Sequence, residues 1–286
     1  MSARDLPLTD MLALAAGPAS RVDPQARVES GVLLGVGCVV RSGAVLPRGT
    51  RLGEGVSVGP NAVFIEPEAG ERASQVDSAA QIGASAVIHA GLVIGAKARV
   101  RPGAVVTRSV PPGAIVDGNP AAIVGYVNAL PQALQARPKT LDDRGERIVA
   151  TNVRGVTVHN LPLHADLRGD LTVGEFQRDV PFAPQRYFIV FGVPNREVRG
   201  EHAHHRCQQF LVCVRGSCSV VADDGHNKVE VALDGPQRGL YLPALTWGIQ
   251  YKHSPDAILL VFASDHYDAS DYIRTYGEFL AVIGQA

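Results

Sequence analysis

Two histidines stand two residues apart in the second half of the chain, in the sequence RGEHAH at residues 199–204. Side chains two apart on a β-strand point to one face, so both imidazoles are predicted to enter the same space. Imidazole titrates near neutral pH and can take a proton from one atom and return it to another. The pattern favours acid–base chemistry at His202 and His204, with metal ligands or buried structural histidines as the alternatives.

The spacing around this pair resembles the first cupin motif, in which HxH is followed by a glutamate and later by a glycine. Here Gln208 and Gln209 stand where the metal-binding glutamate would be, and Gly216 follows. The second cupin motif should bring a histidine shortly after a proline, but Pro243 is followed by Ala-Leu-Thr-Trp247. An amide is a poor ligand for a divalent ion and an indole cannot coordinate one. We therefore predict no metal and no cofactor for this site.

The elements that must position the histidines are short strands. No long helical pattern separates them, and Asp224-Gly225 is a strong hairpin turn. Such a series predicts a closed antiparallel barrel or jelly roll. The predicted strands are 171–176, 187–191, 209–214, 219–222, 239–242 and 258–263.

The first half of the chain is a six-residue repeat. Every sixth position from Val22 to Phe64, and again from Val76 to Val106, holds an apolar residue, which makes fourteen positions in one phase. A period of six fits neither a helix nor a plain strand, but it fits a parallel β-solenoid with a turn in each repeat. Residues 66–75 break the pattern and are predicted to leave the solenoid at one corner.

The repeat, and the run PPGAIVDGNPA at residues 111–121, resemble the hexapeptide-repeat acyltransferases that use acetyl-CoA. The resemblance covers about residues 22–127. It implies a left-handed β-helix with three hexapeptides per coil, trimerisation, and acetyl-CoA as a co-substrate in a groove between subunits. The implied acetyl-CoA region is Gly118, Asn119, Pro120 and Ala121.

Few residues of this half are candidates for binding the amine that would accept the acetyl group. His89 is the one histidine in the first 150 residues and follows the inward-pointing Ile88, so its side chain should face outward. It is the acetyltransferase candidate, with an ordinary exposed histidine as the alternative. Related sugar N-acetyltransferases read FTND where this chain has FIEP at residues 64–67, so both polar residues after the threonine position are changed.

The second half resembles the dTDP-4-dehydro-6-deoxyglucose 3,4-ketoisomerases, which are metal-free cupins of deoxy-amino-sugar synthesis. The resemblance covers about residues 153–283 and depends most on the RGxHAH and YDxxDYIRxYxEF elements. The matching residues are Arg168-Gly169, Leu171, Pro181-Phe182, Arg186, Arg199–His204, Asp223–Gly225, Gly239, Tyr241, Trp247, and Tyr267 with Asp271, Tyr272 and Arg274.

This resemblance implies a role for each site residue. His204 is the expected base and His202 the proton shuttle or orienting group. Relatives carry a Tyr-Tyr pair just after the position of Arg186, where this chain has Phe188-Ile189 preceded by Tyr187. The expected substrate-binding residues are Arg186, Arg199, Gln209, Tyr241, Trp247 and Tyr267; Tyr241 and Trp247 are equally expected as core residues.

The predicted fold is therefore all-β, with a left-handed parallel β-helix followed by a cupin jelly-roll barrel. The predicted domains are a lead at 1–21, the β-helix at 22–127, a linker at 128–150 and the cupin at 151–286. The net charge of −1 excludes a general nucleic-acid binder, and no apolar run is long enough for a membrane span. Four cysteines without a CxxC pair favour the cytoplasm.

The predicted function is that of a bifunctional nucleotide-sugar enzyme serving lipopolysaccharide or S-layer glycan synthesis. The cupin isomerises dTDP-4-keto-6-deoxyglucose, and the β-helix acetylates a dTDP-3-amino sugar. Trimers through the β-helix and dimers through the cupin together predict a hexamer. One alternative is an isomerase whose β-helix is only a trimerising scaffold. The other is a cupin that binds a sugar nucleotide without catalysis.

Overall fold

The computed structural model describes residues 17–131, 147–194 and 197–284. The chain divides into two compact units, with the boundary between Val127 and Asn128. Residues 1–16 of the predicted lead and residues 132–146 of the predicted linker lie outside the described residues. Among the described helices, none is long and apolar enough to cross a membrane.

The first unit is the predicted β-solenoid. Apart from the last two, its strands are two residues long, because a turn follows in every six-residue repeat, and these short strands stack in three parallel sheets. The first face consists of β1 (Arg21–Val22), β4 (Val39–Val40), β7 (Ser57–Val58), β10 (Gln81–Ile82), β13 (Arg99–Val100), β15 (Ala114–Gly118) and, antiparallel to it, β16 (Ala121–Tyr126). The second consists of β2 (Arg27–Val28), β5 (Val45–Leu46), β8 (Val63–Phe64), β11 (Val87–Ile88) and β14 (Val105–Val106). The third consists of β3 (Leu33–Leu34), β6 (Arg51–Leu52), β9 (Gln75–Val76) and β12 (Val93–Ile94).

The register of these strands explains the sequence pattern. Arg21 pairs with Val39, one coil of 18 residues later, and the second residue of each strand from β3 to β14 is buried. Ser57 instead pairs with Gln81, because residues 65–74 carry no strand and add six residues to that coil. The predicted excursion at one corner is confirmed in this form. Adjacent coils approach closely: a Cβ on Gly83 would lie 2.4 Å from the backbone nitrogen of Pro102.

The second unit contains two six-stranded sheets. The sheet that carries both histidines, here called the histidine sheet, has the order β17 (Ala129–Pro131), β26 (Lys228–Leu233), β25 (Cys218–Asp223), β28 (Trp247–Tyr251), β23 (Arg199–His204) and β30 (Tyr272–Ile273). The opposite sheet has the order β18 (Ile148–Ala150), β19 (Thr157–Asn160), β27 (Arg238–Leu242), β24 (Gln209–Arg215), β29 (Ile258–Ala263) and β22 (Arg186–Phe191). A separate hairpin pairs β20 (Leu163–Asp166) with β21 (Gly169–Thr172).

Both sheets contribute to one apolar core. Leu211 and Leu240 of the opposite sheet and Val220 and Val231 of the histidine sheet belong to a single buried cluster. Side chains that alternate along each strand produce this packing, and they bear out the predicted barrel. Short strands at both ends of the segment predicted as a linker, β17 and β18, pair within these sheets.

One helix was not expected from the sequence. It is α1 (Tyr276–Ile283), preceded by a short 3₁₀ turn at Ala269–Asp271. The Thr275 side chain accepts a hydrogen bond from the backbone N–H of Glu278, as in the capping box that a Thr-x-x-Glu sequence indicates. Phe279 of the helix is fully buried and packs against Trp247. The helix therefore covers the outer face of the histidine sheet beside β30, which begins directly after Asp271.

Candidate active site

The two histidines are placed by a bulge in β23. Pairing with β28 shifts register between Gly200 and His202, so that His202 lies opposite Gly248. Gly200 has a φ of 83°, and a Cβ there would lie 2.6 Å from the carbonyl oxygen of Gly248. Only glycine fits that position. His202 and His204 then point to one space, with ring centroids 5.0 Å apart.

His204 is oriented by a buried carboxylate. Its Nδ1 lies 3.0 Å from Oδ2 of Asp271, and both side chains are about 95% shielded from solvent, at 6% and 5% exposure. A carboxylate can only accept, so Nδ1 carries the ring proton. The amide nitrogen of Gln209 lies 3.2 Å from Nε2 of His204 and donates to it. Nε2 is therefore the unprotonated nitrogen, and its lone pair accepts this hydrogen bond.

Asp271 is itself held in place by the backbone. Its Oδ1 accepts from the N–H of Arg206 at 2.9 Å, and its Oδ2 accepts from the N–H of Cys207 at 3.2 Å. Its own carbonyl accepts from the N–H of His205 at 2.9 Å. The carboxylate is thus fixed by the loop that follows β23.

His202 is oriented by an uncharged partner, a backbone carbonyl. Its Nδ1 donates to the carbonyl oxygen of Gly200 at 3.0 Å, which leaves Nε2 as an acceptor. The same glycine that the bulge requires thereby sets the tautomer of the histidine. Both imidazoles consequently offer an unprotonated Nε2.

Both histidines are neutral at pH 7. The pKa of His204 is lowered to about 4, chiefly by burial and then by the neighbouring His202, while Asp271 opposes the shift. Burial likewise lowers the pKa of His202, with Arg274 as a smaller cause. A neutral imidazole is the form that can accept a proton, so the pair is poised as base rather than as acid.

Aromatic rings and arginines form one wall of the site. The Tyr272 ring lies 5.0 Å from that of His202 and 4.3 Å from that of His204. The Arg274 guanidinium lies 4.6 Å from the Tyr272 ring centroid, and that of Arg186 lies 5.4 Å from the ring of Tyr267. Tyr267 and Tyr272 are 5.8 Å apart. This wall combines aromatic ring faces with cations. Ring faces suit the stacking of a nucleobase, and guanidinium groups suit phosphates.

A small cavity adjoins the histidine pair. Its volume is about 10 Å³, the size of one water molecule. Its polar lining consists of uncharged groups besides the imidazoles, namely Gln209, Thr246 and Gln250, with the thiol of Cys207. The Arg and Tyr wall and this neutral cavity are thus chemically distinct parts of the site.

Two of the expected substrate-binding residues lie elsewhere in the described structure. Tyr241 packs against Phe182 on the outer face of the opposite sheet and donates to Oε1 of Gln208 at 2.7 Å. Trp247 packs against α1 through Tyr276 and Phe279. Core packing, the alternative that the sequence left open for both, describes these positions. Arg199 is exposed at the start of β23, opposite Gln250.

The acetyltransferase candidates lie on the solenoid surface. His89 directly follows β11 and is exposed. Gly118, Asn119, Pro120 and Ala121 form the turn between β15 and β16. The placement of His89 agrees with the outward orientation expected from the repeat.

The donor set does not fit the divalent ion that the cupin motif usually holds. His204, Cys207 and Asp271 do bring ligand atoms within 4.8 Å of one another. The oxygen atoms of Asp271, however, already accept from Nδ1 of His204 and from two backbone N–H groups. The amide of Gln209, at the place of the motif's glutamate, donates to Nε2 of His204. These residues therefore do not form a suitable ligand set for a divalent ion.

Sequence reasoning did not select Asp271, Tyr272, Arg274 or Gln250 as site residues. The first three lie in the YDxxDYIR element, of which only Tyr267 was chosen. Asp271 follows His204 by 67 residues, and no local periodicity connects them. The signal that could have identified them is the YDxxDYIR element itself. It places charged residues directly beside tyrosines, an arrangement that core packing does not require.

Comparisons with known proteins match the second unit over most of its length. The family model described as FdtA, WxcM-like, C-terminal, matches residues 154–284. The chain is similar to the TDP-4-oxo-6-deoxy-alpha-D-glucose-3,4-oxoisomerase of Aneurinibacillus thermoaerophilus, with 41% identity over 120 residues that cover 42% of this chain and 86% of the relative. A solved 3,4-ketoisomerase from Helicobacter canadensis is 34% identical, covers 46% of this chain and 98% of that one, and has a TM-score of 0.44.

A second similarity is shorter. The dTDP-3-amino-3,6-dideoxy-alpha-D-galactopyranose 3-N-acetyltransferase of Aneurinibacillus thermoaerophilus is 54% identical over 52 residues. These residues cover 18% of this chain and 27% of the relative, so the chain spans about a quarter of that protein's length.

Proposed function

The chain belongs to the family of sugar-nucleotide 3,4-ketoisomerases, and on this premise we propose that it converts dTDP-4-keto-6-deoxyglucose into the 3-keto isomer. The carbonyl moves from C4 to C3 by proton transfer, and no atom is gained or lost. The observation that carries the proposal is the His204–Asp271 pair, which presents an unprotonated Nε2 beside a second imidazole.

The reaction needs two proton movements. When the sugar displaces the Gln209 amide from Nε2 of His204, this nitrogen takes the proton from C3, and the electron pair of the C–H bond forms an enediolate with the C4 carbonyl. His202 carries the proton of the C3 hydroxyl to the C4 oxygen, so that the C3 oxygen becomes the carbonyl and the C4 oxygen becomes a hydroxyl. The imidazolium of His204 then delivers its proton to C4. Asp271 stabilises that imidazolium while it exists, and each such contribution is typically ~10²–10⁴-fold.

The arginine and tyrosine wall provides the place for the nucleotide. Arg186 and Arg274 offer cations for the pyrophosphate, and Tyr267 and Tyr272 offer ring faces. The uncharged groups beside the histidines suit the sugar. This division keeps the phosphate charge away from the base, whose pKa would rise near an anion.

Turnover in deuterated water tests the proposed isomerisation. We expect a 3-keto product with deuterium at C4, observed by NMR, because the base exchanges its proton with solvent. Unchanged substrate together with tight nucleotide binding would instead support the non-catalytic cupin.

We expect the isomerase to retain full activity after dialysis against EDTA. The reason is that Gln209 replaces a carboxylate and that Asp271 is already occupied by N–H donors. The measurement is the isomerisation rate before and after chelation, with metal content determined on the same sample. Lost activity that zinc, iron or manganese restores would contradict the metal-free mechanism.

We also propose that the solenoid transfers an acetyl group from acetyl-CoA to a dTDP-3-amino-3,6-dideoxyhexose. Support comes from the hexapeptide repeat, the 111–121 run and the short similarity to an N-acetyltransferase. Thiol release from acetyl-CoA should depend on the amino sugar and fall in His89→Ala. The matched control is His164→Ala, which alters an exposed histidine of the other unit. If the protein isomerises its substrate but releases no thiol, the solenoid is only a trimerising scaffold and the acetyl-transfer proposal is wrong.

We propose a hexamer as the assembly. Along the second face of the solenoid the outward residues of four consecutive strands are valines, while those of the first face include Arg21, Gln81 and Arg99. In the second unit the edge strand β22 exposes Tyr187 and Phe191, at 67% and 70%. An apolar face and an unpaired strand edge are both surfaces that a second copy can cover.

Light scattering should therefore give a mass of about six chains. Val87→Glu, which charges the valine row, should reduce the particle to about two chains, whereas Gln81→Glu on the polar face should leave it intact. A monomeric wild-type protein, or a hexamer unaffected by Val87→Glu, would contradict this arrangement.

A further inference from the structure

Gln250 is a buried polar residue without a role in the proposed proton transfers. It lies on β28, is 7% exposed, and lines the cavity beside the histidines. Its Oε1 has no hydrogen-bond partner among the described residues. Buried side-chain oxygens are nearly always paired, so an unpaired one in the wall of a cavity points to a donor that a ligand supplies.

The strand register places this oxygen close to the reacting groups. His202 lies opposite Gly248, two residues from Gln250 on the same strand and the same face. A Cβ on Gly248 would meet only Leu242, at 3.4 Å, so the absent side chain leaves space between His202 and Gln250. That space, about 10 Å³, admits a single oxygen-sized group.

The chemistry of the lining selects the kind of group. A carbonyl oxygen accepts only, so its partner must be a donor. The lining contains no charged side chain, and both histidines are held neutral, which disfavours an anion or an ammonium group. The remaining donor of that size is a neutral O–H group, of water or of a sugar, and a 4-keto-6-deoxy sugar has hydroxyls at C2 and C3 that can take the place of a water.

We propose that Oε1 of Gln250 accepts a hydrogen bond from the C3 hydroxyl of the sugar and so selects substrates that carry it. The inference rests on the proposed function. His204 takes the proton of C3, so the hydroxyl on the same carbon is the one that must lie beside the pair. In the bound ketone Gln250 holds C3 against Nε2 of His204, and the hydroxyl turns its proton from Gln250 to His202 when the enediolate forms; the pyrophosphate is left to the arginine wall.

Binding of unreactive ligands tests this assignment. The ligands are dTDP-6-deoxyglucose, its 3-deoxy and 2-deoxy analogues, and dTDP alone, each titrated calorimetrically. In the wild-type protein the 3-deoxy analogue should bind roughly tenfold more weakly than the parent sugar, because the buried oxygen stays unpaired. In Gln250→Met that ratio should fall to about one, since methionine has the same length but no acceptor of that strength.

Three controls separate specificity from structure. The 2-deoxy ratio and the affinity for dTDP should not change in Gln250→Met. Gln237→Met, in the loop before β27 and outside the cavity, should retain the 3-deoxy penalty. Gln250→Asn keeps an amide but loses its reach, and should resemble Gln250→Met.

The outcomes distinguish the inference from its premise. A variant that keeps the 3-deoxy penalty, loses the 2-deoxy penalty instead, or weakens every ligand equally would overturn the assignment of Gln250 to the C3 hydroxyl, even if the enzyme isomerises its substrate. A wild-type protein that neither binds these sugars nor turns over the keto sugar would overturn the proposed function itself.

Discussion

His204→Asn should reduce deuterium exchange at the sugar by roughly 10³-fold or more, to below detection. His204 offers a lone pair at Nε2 and has a carboxylate partner that stabilises the imidazolium formed. Asparagine cannot accept the proton, and its smaller size leaves the barrel fold in place. His202→Asn should slow the reaction less, because solvent can carry a proton between two neighbouring oxygens but cannot replace the base at carbon.

His205→Asn is the matched control for this experiment. His205 is the next residue in the chain, but it is exposed and outside the cavity. It should exchange deuterium at the wild-type rate. Full exchange in His204→Asn would remove this residue from the base role, and a larger loss in His202→Asn would reverse the two assignments.

Much of the solenoid could be predicted because its signal is local and repeated. One inward position in every six residues must be apolar, and from β3 onward each one is buried. The excursion could be located because the phase resumes after a gap of twelve, from Phe64 to Val76. The assembly was predicted only from family resemblance, because outward valines do not differ in sequence from inward ones.

The sequence predicted a barrel fold, but it did not predict which side chains of each strand point into the barrel and which point outward. Tyr241 stands between Leu240 and Leu242, so that both faces of β27 are apolar and alternation cannot tell which enters the barrel. Leu240 belongs to the core cluster, and Tyr241 therefore points to the outer face. Trp247 raised the same ambiguity, because both faces of the histidine sheet are covered, one by the opposite sheet and the other by α1.

The active site was predictable where its residues are close in the chain. His202 and His204 share a face because they are two residues apart on one strand. Their partners arise from strand order: β30 pairs with β23 and brings Tyr272 opposite His204. Gln250 arrives through the pairing of β28 with β23. Such pairings join distant segments, and one sequence alone does not specify them.

Asp271→Asn should lower the isomerisation rate by roughly 10²–10⁴-fold while the protein stays folded. An amide that keeps the hydrogen bond to Nδ1 of His204 carries no charge to stabilise the imidazolium. An amide turned the other way places its N–H₂ toward Nδ1 and moves the ring proton to Nε2, which then cannot act as the base. Asp256→Asn, at an exposed ion pair with Arg215, should retain the wild-type rate.

The pH dependence separates this role from a structural one. His204 acts as a base only when neutral, so kcat/KM in the wild-type enzyme should stay level from pH 7 to about 5 and fall as the pH approaches its pKa of about 4. Asp271 raises that pKa against the effect of burial. Removing its charge should therefore move the acid limb to lower pH while the plateau falls. A variant that loses rate but keeps the wild-type acid limb would show that Asp271 only supports the loop after β23, and that the tautomer and charge of His204 do not depend on it.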